Sequence, residues 1–588
     1  MPVREGIPLL GASHDDSGAD VPPETMQWFL AEARDPTRGA WTLATRLPES
    51  GFDRVLDVGS GWGVNSLALA PHAGEVVAMD LDWHRLLAVK LLATARGFGN
   101  VTVLCGGDAL PLPFPDDHFD AVAWIGLSER IPVGHRGDPR RHQLELLREI
   151  ARVTRPGGEI FLAGENRYAH LTGPRFGSHH YPRLVRSEAY RPYRCSRRQY
   201  RRLLRRAGFA HTEFHGLSPA PRSYRKMFPL SRGRIVDPEE RRGSALTDHL
   251  LGTRWAVRLA PAFGIRASDR PLGASWLQRL CTHLRSRPGL GGLEPEPYRL
   301  VTTNFCVKAA VRGGDGGGVL VRIPLTAPKQ ALVTHAVARQ RRWRDHPLAG
   351  PLLGRRPSEV IEFEGWTMTL ETLTPAPPDR PGARAPAWRQ VADLLHTFAT
   401  TRGRGSVRDA LDVRLSPAFR DHLGEPHHAA LETLFASTRL AEIPTCYQHG
   451  DFRWENLLCE GGTLVRVVGW EWATPDGIPL ADFCDLVVSD GGVTFGARIV
   501  PALRDAAHER YPRQPLEPMA TALREHHGLD SEDVRLLAVA SVYDVLRRQW
   551  ETTDSYGLGA RFLPAPIRRV ADQVPALARD LLPATQEV

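Results

Sequence analysis

The stretch RVLDVGSGWG, Arg54 to Gly63, limits what this chain can fold into more than any other. An apolar run reads as a buried strand. Glycines at 59, 61 and 63 then let the backbone take dihedrals closed to other residues and approach a ligand closely. Asn65 to Ala70 continues with helical character. Strand, tight glycine turn and helix N-terminus in that order imply an α/β architecture with a binding crevice at the strand's carboxyl end.

A glycine-rich turn alone also suits the pyrophosphate of a nicotinamide dinucleotide. The acidic residues around it separate the two readings. Asp57 lies inside the strand just before the turn, where it would repel a pyrophosphate and suit the amino group of a methionine tail. Asp80 ends the next apolar strand, EVVAMD, where a carboxylate accepts from both ribose hydroxyls. Asp108, with its neighbour Ala109, closes NVTVLCGGDA, a third strand, and is placed for the exocyclic amine of adenine. A fourth strand, FDAVAWIG, follows the acidic turn PFPDDH. The helical LELLREIARVTRPGG then leads into a fifth, EIFL.

Over residues 50 to 165 this pattern resembles the class I S-adenosylmethionine-dependent methyltransferases. The resemblance implies a Rossmann-like fold, S-adenosyl-L-methionine as cofactor, and cofactor contacts from Asp57, Gly59, Gly61, Asp80, Asp108 and Ala109. In such a fold the methyl acceptor is held by loops after the fourth and fifth strands. Here these are GLSERIPVGHRGDPRRH, 126 to 142, and GENRYAHLTGPRFGSHHYP, 164 to 182. The second is similar to a segment of methyltransferases associated with bacterial surface glycans, matched by Glu165, Asn166, Arg167, Gly173 and His179 or His180. Methyl transfer needs positioning and, for a hydroxyl acceptor, a base. His180 and Glu165 are the leading candidates, with His179 and Glu129 behind them.

Beyond a Pro/Gly-rich stretch, PGLGGLEPEP, strands resume. YRLVTTNFCVKAAVRGGDGGGVLVRIPL reads as antiparallel strands joined by a glycine hairpin, and EVIEFEGWTMTLETL as a second hairpin turning at Glu364 and Gly365. Downstream, YQHGDFRWENLLCEGGTLVRVVGWEWATPDGIPLADFCDL contains His449, Gly450, Asp451 and Asn456 in an H-G-D-x-x-x-x-N pattern. With the hairpin that follows, it resembles the aminoglycoside phosphotransferase family of kinase-like proteins. The resemblance implies Asp451 as catalytic base, Asn456 as a magnesium ligand, and ATP with Mg2+ as cofactors.

Two departures stand against that implication. The metal-binding Asp expected before the Trp-Glu pair is Gly469, which has no side-chain donor. The nucleotide-pairing lysine falls on Arg322, and its helix partner falls near Gln340. A strand through VVGWEWA would point Glu471 to the same face as Gly469 and make it a substitute ligand, with Asp476 beyond.

The 588 residues at 42% hydrophobic suit two large domains. The boundaries read as a methyltransferase domain at 1–275, a linker at 276–295, and a phosphotransferase-like domain at 296–588. The fold class is thus α/β: a Rossmann-like class I methyltransferase domain, then a two-lobed protein-kinase-like domain. The seven cysteines are scattered without paired spacing, no signal peptide or bilayer-spanning stretch is apparent, and a cytoplasmic location is expected.

Net charge is +8 with only four lysines, an arginine bias. It concentrates in Tyr181 to Phe209, where Ser196 reads as a helix cap and Gly208 as a stop. A solvated amphipathic helix is one reading. The other is contact through Arg-rich 183–206 with a phosphate-bearing or lipid-linked substrate; no nucleic acid is expected. The function these readings favour is O-methylation of a sugar, glycan or glycosylated natural product, with the kinase-like domain positioning the acceptor. The alternative is a bifunctional kinase-methyltransferase.

Overall fold

The computed structural model describes residues 3–9, 51–107, 110–126, 138–169, 193–218, 221, 224, 226–230, 260–295, 297, 299–303, 306–313, 317–354, 356–373, 386–460, 462–490, 499–511, 515–553, 563 and 565–582. The chain divides into two compact units, Met1–Leu325 with Glu362–Trp366, and Thr326–Ile361 with Thr367–Val588. The stretch 276–295, read as a linker, lies inside the first unit and contains a helix, Trp276–Arg285. Ser275 and Gln278 form a reciprocal capping box there, and Leu277, Leu280 and Leu284 are buried. No described helix is long and apolar enough to cross a membrane.

In the first unit the strands are β1 Val3–Arg4, β2 Ile7–Pro8, β3 Phe52–Val58, β4 Ala73–Asp80, β5 Val101–Cys105, β6 Phe119–Ile125, β7 Thr154–Glu165, β8 His211–Ser218, β9 Lys226–Pro229, β10 Ala262–Ser268, β11 Arg299–Thr303, β12 Cys306–Arg312 and β13 Gly318–Pro324. The helices that matter for the site are α1 Val64–Leu69, α2 Trp83–Ala95, α3 Pro139–Val153 and α4 Arg197–Ala207. Strands β5, β4, β3, β6 and β7 lie side by side in that order, all parallel. Next to β7 comes β10, antiparallel, with Ile265 opposite Leu162. Beyond it β8 pairs antiparallel with β10. β10 therefore enters late in sequence between two earlier strands. The sheet continues through β9 and β11 to β13 in antiparallel pairs.

Side-chain alternation along β4 divides the core between the sheet's faces. Val77 and Met79 pack with Leu146, Leu147 and Ile150 of α3 and Tyr200, Leu203 and Leu204 of α4. Ala78 faces the other way, onto Trp83, Leu86 and Val89 of α2. Ile7 of the short β1–β2 hairpin completes that second face, while Arg4 lies 3.9 Å over the Trp83 ring.

The second unit is mainly helical. Its strand Pro444–Gln448 pairs with Arg402–Ser406 on one side and Thr474–Gly477 on the other. A hairpin joins Leu457–Glu460 to Thr463–Val467. Trp343, Phe398, Tyr447, His449 and Trp470 form a buried aromatic cluster, with Trp343 and Tyr447 ring centres 4.7 Å apart.

Candidate cofactor site

The sheet order reverses between β3 and β6, and the turns at the carboxyl ends of β3 and β4 lie beside that point. The turn after β3 is pinned by the amides of Gly59 and Ser60, which both donate to the Met79 carbonyl, at 2.7 and 3.0 Å. The Gly61 amide donates to Asp80 Oδ2 at 2.8 Å, and the Asp82 amide to Asp80 Oδ1 at 3.0 Å. Asp80 is thus buried and fixed by two backbone donors, with the Arg85 guanidinium 3.8 Å away. Asp57, buried in β3, accepts from the Ser66 hydroxyl at 2.6 Å, which ties the strand to the first turn of α1.

Two glycines of the turn meet different needs. Gly63 has φ +80°, and a Cβ there would come within 2.7 Å of Val89 on α2. Gly61 has φ +55°, and a Cβ on it would meet nothing within 4 Å. The space over Gly61 is open, bordered by a loop whose amide is held by the Asp80 carboxylate. At the end of β5, Gly106 and Gly107 take φ of +153° and +111°. Asp108 and Ala109, which follow them, lie outside the described residues, as do Glu129, Gly173, His179 and His180.

At the end of β7, Glu165 does not stand free: its carboxylate accepts from the Arg194 guanidinium. Asn166, fully buried, pins the chain there. Its side-chain amide donates to the Ala260 carbonyl at 2.8 Å, and it bridges to Cys195, just before α4.

Sequence reading missed Asp120. It accepts from the amides of Asp53 and Arg54, both at 2.8 Å, and clamps the start of β3 to β6. It missed also the buried pair of Glu159 and Arg266, which meet through two hydrogen bonds of 2.6 and 2.9 Å across β7 and β10. A lone acidic or basic residue within an apolar strand, as in EIFL or AFGIRAS, was the available signal.

Arg322 is buried on β13 of the first unit, opposite Lys308 of β12. Asp451, Asn456 and Glu471 belong to the second unit. There the Asn456 side-chain amide donates to the Asp451 carbonyl at 2.8 Å and to Asp451 Oδ2 at 2.7 Å, while Arg453 Nε donates to Asp451 Oδ1 at 2.6 Å. The loop is suspended from Asp482, which accepts the amides of His449 and Gly450 at 2.6 and 2.8 Å. Burial, with Asp485 nearby, pushes the Asp482 carboxyl up to about 7; burial brings His449 down to about 4. Asp482 was not singled out from sequence, although an acid within the apolar IPLADFCDL was a visible cue.

The expected strand through VVGWEWA does not form. It stops at Val467; Gly469 takes φ +84°, and Trp470–Trp472 is a short 3-10 helix. The alternation that pointed Glu471 toward a metal is therefore absent. A Cβ at 469 would lie 2.6 Å from the Asn456 amide nitrogen, so Asn456 fills the place a longer residue would claim. Among the described residues no three His, Cys, Asp or Glu side chains group as a metal site.

Five parallel strands in the order β5-β4-β3-β6-β7, followed by antiparallel β10 and then β8, define a Rossmann-like methyltransferase fold for the N-terminal part of the chain. Residues 55–158 match a family described as a methyltransferase domain. An uncharacterized methyltransferase of Bacillus subtilis, YcgJ, is 34% identical over 109 residues, 18% of this chain and 39% of that protein. A demethylmenaquinone methyltransferase of Mycolicibacterium vanbaalenii is 39% identical over 122 residues, 20% of this chain and 46% of its own. The crystal structure of B. subtilis YcgJ aligns with 30% of this chain and 70% of its own at 24% identity, with a TM-score of 0.25. The chain spans less than half the length of these two curated relatives.

Proposed function

We propose that the first unit binds S-adenosylmethionine in the crevice at β3, β4 and β5 and methylates a small-molecule acceptor. One observation carries this reading: Asp80 holds the Gly61 amide in a turn of φ +55°, with no protein atom within 4 Å of where a Cβ would stand. The residues fit the cofactor. Asp80 offers the ribose a carboxylate already oriented by backbone donors, and Asp57, braced by Ser66, offers one toward the methionine amino group. When bound, S-adenosylmethionine supplies an electrophilic methyl on a good leaving group. The chain's own part is to orient the cofactor, exclude water and present the acceptor in line.

The acceptor we favour is a hydroxyl of a sugar, glycan or glycosylated natural product, with His180 or Glu165 receiving its proton. Glu165 would first exchange its Arg194 contact for the acceptor. The test is a thermal shift with S-adenosylhomocysteine: saturating ligand is expected to raise the melting temperature by mass action. No shift would remove the cofactor reading.

For the second unit we propose a kinase-like module that holds an acceptor without phosphorylating it. The suspended His449–Asn456 loop supports the likeness; its donor set does not fit magnesium. Asn456 is committed to Asp451, and Gly469 brings no carboxylate. Arg322, buried on β13, is given no nucleotide role in this reading. The bifunctional alternative requires ATP with Mg2+ to shift the melting temperature and Asp451→Ala to abolish ATP turnover. Both outcomes together would replace the holding role.

A further inference from the structure

Helix α4 has a sequence, RRQYRRLLRRA, with six arginines in eleven residues. They stand at 197, 198, 201, 202, 205 and 206, and at 100° per residue they fill about half the circumference without interruption. The other half holds Tyr200, Leu203, Leu204 and Ala207, all buried against the sheet. Arg197 and Arg201 rest over the Phe214 ring, at 5.2 and 5.5 Å. Arg198, Arg202, Arg205 and Arg206 are exposed, and none has a carboxylate partner among the described residues.

This charge opposes the helix that carries it. Arginines four apart repel, and Arg197 and Arg198 occupy the first turn, where the helix dipole disfavours cations and no acid balances them. The helix is held instead by its Ser196–Gln199 capping box, by Gly208 in the left-handed region, and by its buried face. A face that costs the fold stability, and whose exposed Arg198, Arg202, Arg205 and Arg206 meet no carboxylate among the described residues, is suited to an external polyanion.

We infer that this face docks the protein on an anionic phospholipid surface. The inference stands independently of the cofactor reading. Guanidinium groups pair with phosphates through two parallel hydrogen bonds, and the arc contains no apolar residue, so attachment is electrostatic and peripheral. The geometry favours a broad surface over a nucleic-acid groove. The exposed arc consists of arginines alone, with no Asn side chain to read base edges and no aromatic side chain to stack on bases. The Asn166–Cys195 bridge sets its first turn at the carboxyl end of β7, the sheet edge that also carries Asp57 and Asp80. Docking there would bring that edge to the lipid headgroups.

The test is co-sedimentation of the full chain with phosphatidylcholine vesicles, with or without about 30 mol % phosphatidylglycerol. Binding is expected only with the anionic lipid and is expected to fall as salt shortens the Debye length. The combined variant Arg198→Gln, Arg202→Gln, Arg205→Gln, Arg206→Gln is expected to bind on the order of 10²- to 10³-fold more weakly, from about 1 kcal/mol per arginine near such a surface. Its S-adenosylhomocysteine shift should be unchanged, which shows the fold intact and keeps the two readings separate. Replacing the same four by lysine should retain binding within about tenfold, since charge dominates. Absence of binding to anionic vesicles, equal binding by the glutamine variant, or selective binding of duplex DNA in place of vesicles would each overturn the inference.

Discussion

Asp80 is the residue on which the cofactor reading turns, because its two oxygens organise the Gly61 and Asp82 amides before any ligand arrives. Replacing it by alanine removes a ribose acceptor and releases the glycine turn together. Hydrogen bonds to a charged group are worth about 1.5–3 kcal/mol each, so S-adenosylhomocysteine should bind Asp80→Ala about 10²-fold or more weakly by titration calorimetry. Wild-type affinity in that variant would move the site elsewhere. Glu159 offers a contrasting case with no ligand role. Removing it leaves Arg266, 2% exposed, without its bidentate partner and with only Glu213, at 3.4 Å, to balance a buried charge. Glu159→Ala should therefore lose about 3–5 kcal/mol in urea unfolding, and Glu159→Leu with Arg266→Met should lose less. A larger loss in the double variant would mean the pair contributes net stability beyond its own desolvation.

Elements were legible where their signals are local. The glycine turn, the carboxylates ending β3 and β4, and the cap and stop of α4 all rest on neighbours within a few residues, and each appears where the sequence put it. The cap has a measurable weight: Ser196→Ala leaves the Gln199 amide without its side-chain acceptor and should cost about 1 kcal/mol. A helix strained by six arginines has little margin, so a neutral result by urea titration would show that packing alone fixes it. Three features were not legible. The insertion of β10 between β7 and β8 depends on pairing with residues about a hundred positions away. The helix Trp276–Arg285 was obscured by the glycines and prolines that follow it. Glu471 was misplaced because period-two reasoning holds only while the backbone stays extended, and Gly469 turns it out of the strand. His179, His180 and Asp108 lie outside the described residues.

At the scale of the whole molecule, acid response sets opposing buried groups of the second unit against one another. His449, fully buried, is brought down to about 4, so its folded-state value lies below the unfolded one. Its contribution is present above about pH 6.5 and is lost as pH falls toward 4. His527 is also brought down to about 4 by burial, and His427 and His422 are lowered by burial. Asp482 has the other sign. Its folded-state value of about 7 lies above that of an unfolded carboxyl, so its contribution is complete below about pH 4 and is lost as pH rises through 7. Between pH 7 and 5, His449 and Asp482 each shift stability by about 2 kcal/mol in opposite directions and offset one another. The remaining imidazoles then make the wild-type protein lose stability on acidification. Asp482→Asn should weaken the chain at pH 7, since one of the His449 and Gly450 amides loses its acceptor. It should also steepen the fall between pH 7 and 5 by about 2 kcal/mol, because the offset is gone while the His449 loss remains. Calorimetric unfolding of both proteins at the two values measures this directly. An unchanged slope would mean that Asp482 remains ionised throughout the window, held so by its two backbone donors.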